Sequence, residues 1–264
     1  MPKPAAAASP VTITKLTLSG VSSAKDVVST EEPLQITVDG RPLAVAMRTP
    51  GADADLVMGF LKTEGIISRA DEVEAIELDG RENEALVFLK DGVEVDWGRL
   101  TRYLFTASSC GLCGKASIEA VRQTHQALPA ERKAPSFDLL VTLPGKLRDA
   151  QKEFERTGGL HGAGLFSLEG ELLCLREDVG RHNALDKVIG AALTSGVDFS
   201  NAVLLLSGRI SFELMQKALA AGIPTIAGIS APSSLAVTFA KESGQTLVGF
   251  LRGNEANLYA GELG

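Results

Sequence analysis

An α/β chain in two parts is what the sequence predicts, with a smaller α+β part first and a larger α/β part after it. Three observations lead there. From Ala202 the pattern runs strand, helix, strand, helix, strand, and the strands (202–206, 225–229, 246–250) are almost wholly apolar. Such strands imply a sheet covered on both faces. Before residue 100, short segments alternate with a period of two between Asp/Gly/Pro turns, around a single helix. Between these regions, 129–135 (Pro-Ala-Glu-Arg-Lys-Ala-Pro) is polar and bounded by prolines, as a linker is. The expected division is a disordered tail over 1–10, an α+β domain over 11–128 and an α/β domain over 136–264.

Taken in order, 11–18 alternates as a strand, and 33–38 and 43–48 read as paired strands across Asp39-Gly40-Arg41-Pro42. Residues 53–64 carry Leu56, Val57, Phe60 and Leu61 at helical spacing and stop at Gly65. Strands follow over 73–78 and 85–89, joined through Asp79-Gly80-Arg81, with a short third near 93–95. A helix is expected over 116–128. Residues 137–157 read as mostly helical with a break at Pro144-Gly145. A hairpin is expected over 165–167 and 172–175, then a helix over 179–194 ended by Gly196. Helices over 212–221 and 234–242 close at Gly222 and Gly244.

The 264 residues are 45% hydrophobic and 22% charged, ordinary for a globular chain. A net charge of −7 argues against a general nucleic-acid binder, which needs clustered Lys and Arg. No apolar run approaches the ~20 residues that span a bilayer. Three cysteines without a secretion pattern point to a reducing, cytoplasmic setting. Glycine, 27 residues, exceeds the usual ~7%, which suggests tight turns or close backbone approach to a ligand.

Ser109-Cys110-Gly111-Leu112-Cys113-Gly114-Lys115 carries the sharpest chemistry. A sulfur nucleophile needs access and a favoured thiolate. A helix start and a lysine nearby favour the thiolate. The same spacing would serve half of a zinc site, a redox disulfide or no function, but no second Cys pair completes a zinc set. Sulfur chemistry is the favoured reading.

Three loops leave the apolar strands: Ser207-Gly208-Arg209, Ser230-Ala231-Pro232-Ser233, and Phe250-Leu251-Arg252-Gly253-Asn254-Glu255. The first two open helices, and each taken alone is explained by helix capping. Together they point to a phosphate- or nucleotide-bearing pocket at the strand ends. Thr157-Gly158-Gly159-Leu160-His161-Gly162-Ala163-Gly164 reads as a glycine-rich loop presenting His161 to a ligand, or equally as a flexible turn. In Glu177–Lys187 a helix would stack Asp178, His182 and Asp186 on one face. That row suits a held imidazole or a metal, or simply a self-paired face, and for metal the self-paired face is favoured. Cys174 reads as a small buried hydrophobe.

In this order these segments resemble the formate dehydrogenase accessory sulfurtransferase (FdhD) family. The residues that carry the resemblance are Glu-Glu-Pro-Leu (31–34), Gly-Phe-Leu-Lys-Thr-Glu-Gly-Ile-Ile (59–67), Ser-Cys-Gly-Leu-Cys-Gly (109–114), Thr-Gly-Gly-Leu-His (157–161) and above all Glu-Asp-Val-Gly-Arg-His-Asn-Ala-Leu-Asp-Lys (177–187). The resemblance implies a cytidine-deaminase-like second domain. No deaminase zinc signature accompanies it, so deamination is not expected. It implies a sulfurtransferase that takes persulfide sulfur from a cysteine desulfurase and passes it to the molybdenum bis-(guanine dinucleotide) cofactor of formate dehydrogenase. Cys110 would be the carrier and Cys113 its partner. The cofactor, or GDP in its place, would lie against Phe250, Leu251, Arg252, Gly253, Asn254 and Glu255, with Ser207, Arg209, Ser233 and His161 beside it. The implied assembly is a homodimer that meets a desulfurase and the formate dehydrogenase catalytic subunit. The rival readings are a non-catalytic cofactor chaperone and a CxxC thiol–disulfide oxidoreductase.

Overall fold

The computed structural model describes residues 6–79, 83–98, 127–129 and 132–264. Strands β1 (Ala8–Thr17) and β2 (Gly20–Ser29) form an antiparallel ribbon of their own. The tail was expected over 1–10, but Ala8, Ser9 and Pro10 are strand and pair with Ser29, Val28 and Val27. Strand β2 was not anticipated, since its serines, lysine and aspartate lack an apolar alternation. Pairing along its whole length compensates.

Strands β3 (Glu32–Val38) and β4 (Arg41–Arg48) form a hairpin. Its two-residue turn, Asp39-Gly40, has positive φ at both positions, the type I′ geometry that matches strand twist. Helix α1 (Asp53–Thr63) leads to β5 (Val73–Asp79) and β6 (Glu84–Leu89), giving a sheet of order β4-β3-β6-β5. The strand expected near 93–95 does not form. Gly92 turns the chain, and Val93, Val95 and Trp97 lie against the core of this sheet.

The expected helical stretch 137–157 is three short helices: α2 (Phe137–Leu140), α3 (Leu143–Ala150) and α4 (Lys152–Thr157). The break falls at Val141-Thr142, ahead of Pro144, because proline is tolerated in the first turn of α3. Strands β7 (His161–Ser167) and β8 (Leu172–Asp178) extend beyond the predicted hairpin. The glycine-rich stretch is thus strand from His161 onward. A Cβ at Gly162 would fall 2.5 Å from the Gln151 amide nitrogen, and one at Gly164 would fall 2.8 Å from Leu147, so the glycines there answer to packing. Helix α5 (Arg181–Thr194), β9 (Ala202–Leu206), α6 (Phe212–Ala221), β10 (Thr225–Gly228), α7 (Ser234–Ser243), β11 (Thr246–Arg252) and β12 (Glu255–Ala260) complete the chain. Gly222 and Gly244 end α6 and α7 in the left-handed conformation, as predicted.

The second sheet has the order β12-β11-β10-β9-β7-β8, with β9, β10 and β11 parallel and the rest antiparallel. It is covered on both faces, by α5, α6 and α7 on one and by α2 and α3 on the other. This mixed α/β layout is compatible with a cytidine-deaminase-like architecture. The layers run four-stranded sheet, α1, α5, six-stranded sheet. Helices α1 and α5 cross at Gly59 and Gly190, close enough that a Cβ on either would collide with the other's backbone.

Candidate functional site

Sheet polarity decides what meets at the site. Strands β9, β10 and β11 end at one edge of the sheet, where antiparallel β7 begins and β8 ends. His161, Asp178, Ser207 to Arg209, Ile229 to Ser233 and Arg252 therefore share that edge with the first turns of α5, α6 and α7. Amides at helix starts after parallel strands favour anions, and ligands settle at such strand ends.

The predicted residues take their places as follows. The Gly162 amide donates to Ser207 Oγ at 2.9 Å, and the Ser207 amide donates to the Gly162 carbonyl at 3.0 Å. Gly208 lies against His161: an added Cβ would stand 3.1 Å from Nδ1. Arg209 is exposed beside them. Ser233 Oγ accepts from the Ala236 amide at 3.2 Å, so this hydroxyl caps α7. Farther along, 250–255 is a tight hairpin between β11 and β12. Strand β12 was missed in the sequence because its side chains are mostly polar or exposed; bulges interrupt its pairing with β11. Phe250 (φ 52°) turns its ring to solvent, and the Arg252 guanidinium stands 5.5 Å from that ring. Arg252 Nε donates to the Ile229 carbonyl at 2.8 Å, which ties the hairpin to the neighbouring strand end. Leu251 points into the core beneath, and Gly253, Asn254 and Glu255 are exposed at the turn. A flat aromatic face and a guanidinium at one end, with amides and cations along the rest, are features that hold a nucleotide.

Burial first, and then the positive charge of Arg181, push the His161 imidazole below its ordinary range; Asp178 opposes and His182 and Arg209 add to the effect. The folded protein therefore prefers the neutral ring. The sign follows: this contribution to stability is complete above the unfolded pKa of about 6.5 and is lost as pH falls through the lower folded value. Thermal melts are expected to show a His161→Gln variant losing less stability than the parent on acidification from pH 7 to pH 5.

The 177–187 motif is paired partly within itself, through Asp178 and Lys187, and otherwise with residues of other elements. Asp178 accepts from Lys187 Nζ at 2.7 Å and from the Thr49 amide, the Gly180 amide and Asn183 Nδ2. His182 Nε2 meets Glu213 Oε2 at 2.8 Å, and Asp186 meets Lys217 at 2.9 Å. The row of Asp178, His182 and Asp186 is thus divided among three partners. Lys187 Nζ also donates to the Thr49 carbonyl, so the motif stitches α5 to the end of β4. Cys174 lies half-buried in β8, its thiol pushed up to about 11 chiefly by burial, as a small packing residue would be. Cys110 and Cys113 lie outside the described residues.

Arg181 is the residue that sequence reasoning passed over. It opens α5 beside His161, and its Nε is buried without a hydrogen-bond partner. The signal was present in Gly180-Arg181-His182, a glycine and two basic residues directly after a strand.

Residues 29–263 match the sequence profile of the FdhD/NarQ family. The chain is 53% identical over 255 residues to the sulfur carrier protein FdhD of Streptomyces avermitilis, covering 92% of this chain and 90% of that protein. It is 48% identical over 257 residues to the protein of that name from Mycobacterium tuberculosis, with 92% and 93% covered. To the one from Sulfolobus acidocaldarius it is 46% identical over 239 residues, with 90% of each covered. Among solved structures it is similar to one described as a formate dehydrogenase accessory protein from Desulfotalea psychrophila, with a TM-score of 0.79 and 25% identity, covering 96% of this chain and 97% of that one.

Proposed function

Because this chain belongs to the FdhD/NarQ family, we propose that it is a cytoplasmic sulfur carrier for formate dehydrogenase, working through a persulfide on Cys110. The observation that carries the reading is near-full-length similarity to proteins named sulfur carriers, in a chain that holds Cys110 and Cys113 with two residues between them. Among the described residues no helix is long and apolar enough to cross a membrane.

The chemistry is thiol–disulfide exchange. The Cys110 thiolate attacks the outer sulfur of a cysteine desulfurase persulfide; the new bond is Cys110–S–SH, and the donor leaves as its thiolate. Cys113 then attacks the inner sulfur of Cys110, expels the outer sulfur as hydrosulfide toward the molybdenum substrate, and leaves a disulfide for a cellular dithiol to reduce. The substrate is the bis-(guanine dinucleotide) form of the molybdenum cofactor, seated along the strand-end edge, with Phe250 and Arg252 at one end and Ser207, Arg209 and His161 at the other. A homodimer would present two such edges.

Intact-mass spectrometry after incubation with a desulfurase and cysteine tests the carrier. The parent is expected to gain about 32 Da per sulfur as persulfide. Cys110→Ala is expected to gain none and to leave formate dehydrogenase inactive. Full activation by that variant would remove Cys110 from the mechanism. Activation retained after both cysteines are replaced would favour a non-catalytic chaperone, and turnover of a generic disulfide would favour an oxidoreductase.

A further inference from the structure

We propose that the β1–β2 ribbon is an arm that lies across a second copy of this chain and packs Leu16, Leu18 and Val21 against it. The proposal deepens the homodimer of the functional reading by assigning the element that joins the copies. The carrier chemistry at Cys110 stands or falls apart from it.

The ribbon stands apart from both larger sheets. Its pairs run without a bulge from Ala8 and Ser29 at the root to Thr17 and Gly20 at the tip, so it is roughly 34 Å long. It is a sheet of two strands, and among the described residues neither outer edge is paired. It is tied down at the root. Ser9 Oγ and Thr30 Oγ1 lie 2.8 Å apart, Ser29 Oγ donates to Thr157 Oγ1 at 2.9 Å, and α4 lies against β2. Ala8, at that root, is the one buried residue of the two strands. At the far end Leu16, Leu18 and Val21 are 74%, 112% and 71% exposed. A lone two-stranded hairpin is marginal in water, and three large apolar side chains left in water at its tip add to that cost. Burial against a partner removes both penalties. The family profile starts at residue 29, so the match leaves the role of this element open.

Area and charge select a second copy as the partner. Two strands give a face roughly 10 Å wide, hence roughly 350 Å², and covering it buries roughly 700 Å² in total. On an unlike protein that is the size of a weak contact. A two-fold axis doubles it, because each copy then both gives and receives a ribbon. The total, roughly 1,400 Å², falls in the range of stable and specific interfaces. Charge agrees with area. Residues 8–25 hold no carboxylate, and the ribbon carries Lys15 and Lys25 against Asp26 alone, in a chain of net charge −7. Among the described residues neither lysine forms an ion pair. A cationic ribbon thus meets an acidic body, without the repulsion that two such bodies exert on each other directly. The stretch from Leu16 to Ala24 is uncharged, as the core of an interface is.

The test is sedimentation velocity on the full chain across micromolar concentrations. The parent is expected to be a dimer. A variant carrying Leu16→Ser, Leu18→Ser and Val21→Ser is expected to be a monomer, its dimer dissociation constant raised on the order of 100-fold or more. Lys25→Glu is expected to weaken association several-fold, and added salt should narrow its difference from the parent. Far-UV circular dichroism and the mass gained at Cys110 report folding and carrier chemistry separately, and both should match the parent in each variant. A parent that sediments as a monomer overturns the arm, and so does a triple variant that dimerises as the parent does. Should the triple variant fail to fold, Lys25→Glu carries the test, and a dissociation constant equal to the parent's overturns the arm. With a monomeric parent, loss of formate dehydrogenase activation in the triple variant would assign the tip to an unlike protein. Loss of binding to phosphatidylglycerol vesicles would assign it to a lipid surface.

Discussion

Gly190→Ala is expected to destabilise the protein by more than about 4 kcal/mol, far beyond the usual cost of one added methyl, and to leave much of it insoluble. Gly190 and Gly59 face each other where α5 crosses α1. A Cβ on Gly190 would overlap the Asp55 carbonyl oxygen and stand 2.7 Å from the Gly59 amide nitrogen. Its nearest neighbours are backbone atoms of another helix, which cannot turn aside as a side-chain end can. The helices would have to separate, and separation would open the layer shared by Leu56, Val57, Leu61, Leu185 and Ile189, all essentially buried. The same substitution at Gly145, in α3 with nothing within 4 Å of the added atom, is expected to stabilise by roughly 0.5–1 kcal/mol through helix propensity. Denaturant midpoints for the two variants should therefore move in opposite directions. Similar small shifts in both would mean that the crossing is looser than described.

The contrast between those glycines marks how far the sequence carries. Helix ends at Gly222 and Gly244 were legible because a left-handed cap is a local requirement. The β3–β4 hairpin was legible because Asp39-Gly40 suits only a few turns. The buried strands of the second sheet announced themselves through unbroken apolar runs such as Ala202–Leu206. Gly59 and Gly190 gave no local sign, since each sits within an ordinary helical pattern and their meaning is a contact 131 positions apart. Strands β2 and β12 were missed for a related reason. Their stability comes from ladder pairing with β1 and β11, and their own side chains are mostly polar or exposed.

The candidate site was legible as a set of loops, not as an arrangement. The sequence marked His161, Ser207 and Arg209 separately, and only the antiparallel pairing of β7 with β9 brings them to one corner. Leu251 was marked with its neighbours, although strand alternation turns its side chain into the core. In the 177–187 motif the charged residues were visible, but their partners outside it include Thr49, Thr63, Glu213 and Lys217, all distant in sequence. Helical spacing alone could not separate a self-paired face from a ligand site.

Those partners lead to the other large effect. Lys217→Met is expected to cost about 3–5 kcal/mol at neutral pH, because it strips the counter-charge from buried carboxylates. Lys217 Nζ donates to Thr63 Oγ1 at 2.9 Å, to Glu64 Oε1 at 3.1 Å and to both oxygens of Asp186, at 2.9 and 3.1 Å. Burial works against charge on every member. On Lys217 the two carboxylates overcome it and hold the ammonium above its ordinary range; on Asp186 burial outweighs the single cation and pushes the carboxyl up. Without Lys217, Asp186 keeps its hydrogen bond from Thr63 but faces Glu64 unscreened, and its carboxyl must rise further. A group whose folded pKa lies above its unfolded value penalises folding above the unfolded pKa, near 4, and ceases to do so below it. The deficit of Lys217→Met should therefore be largest at neutral pH and shrink as pH falls toward 4. Adding Asp186→Leu should recover a large part of it at pH 7, since an apolar pair replaces a lone buried charge. A deficit independent of pH, with no recovery in the double variant, would show that lost packing and not lost charge is responsible. Because Thr63 and Glu64 close α1 while Asp186 and Lys217 belong to α5 and α6, this cluster is the electrostatic counterpart of the glycine crossing. Together they hold the four-stranded layer to the sheet whose edge bears the candidate site.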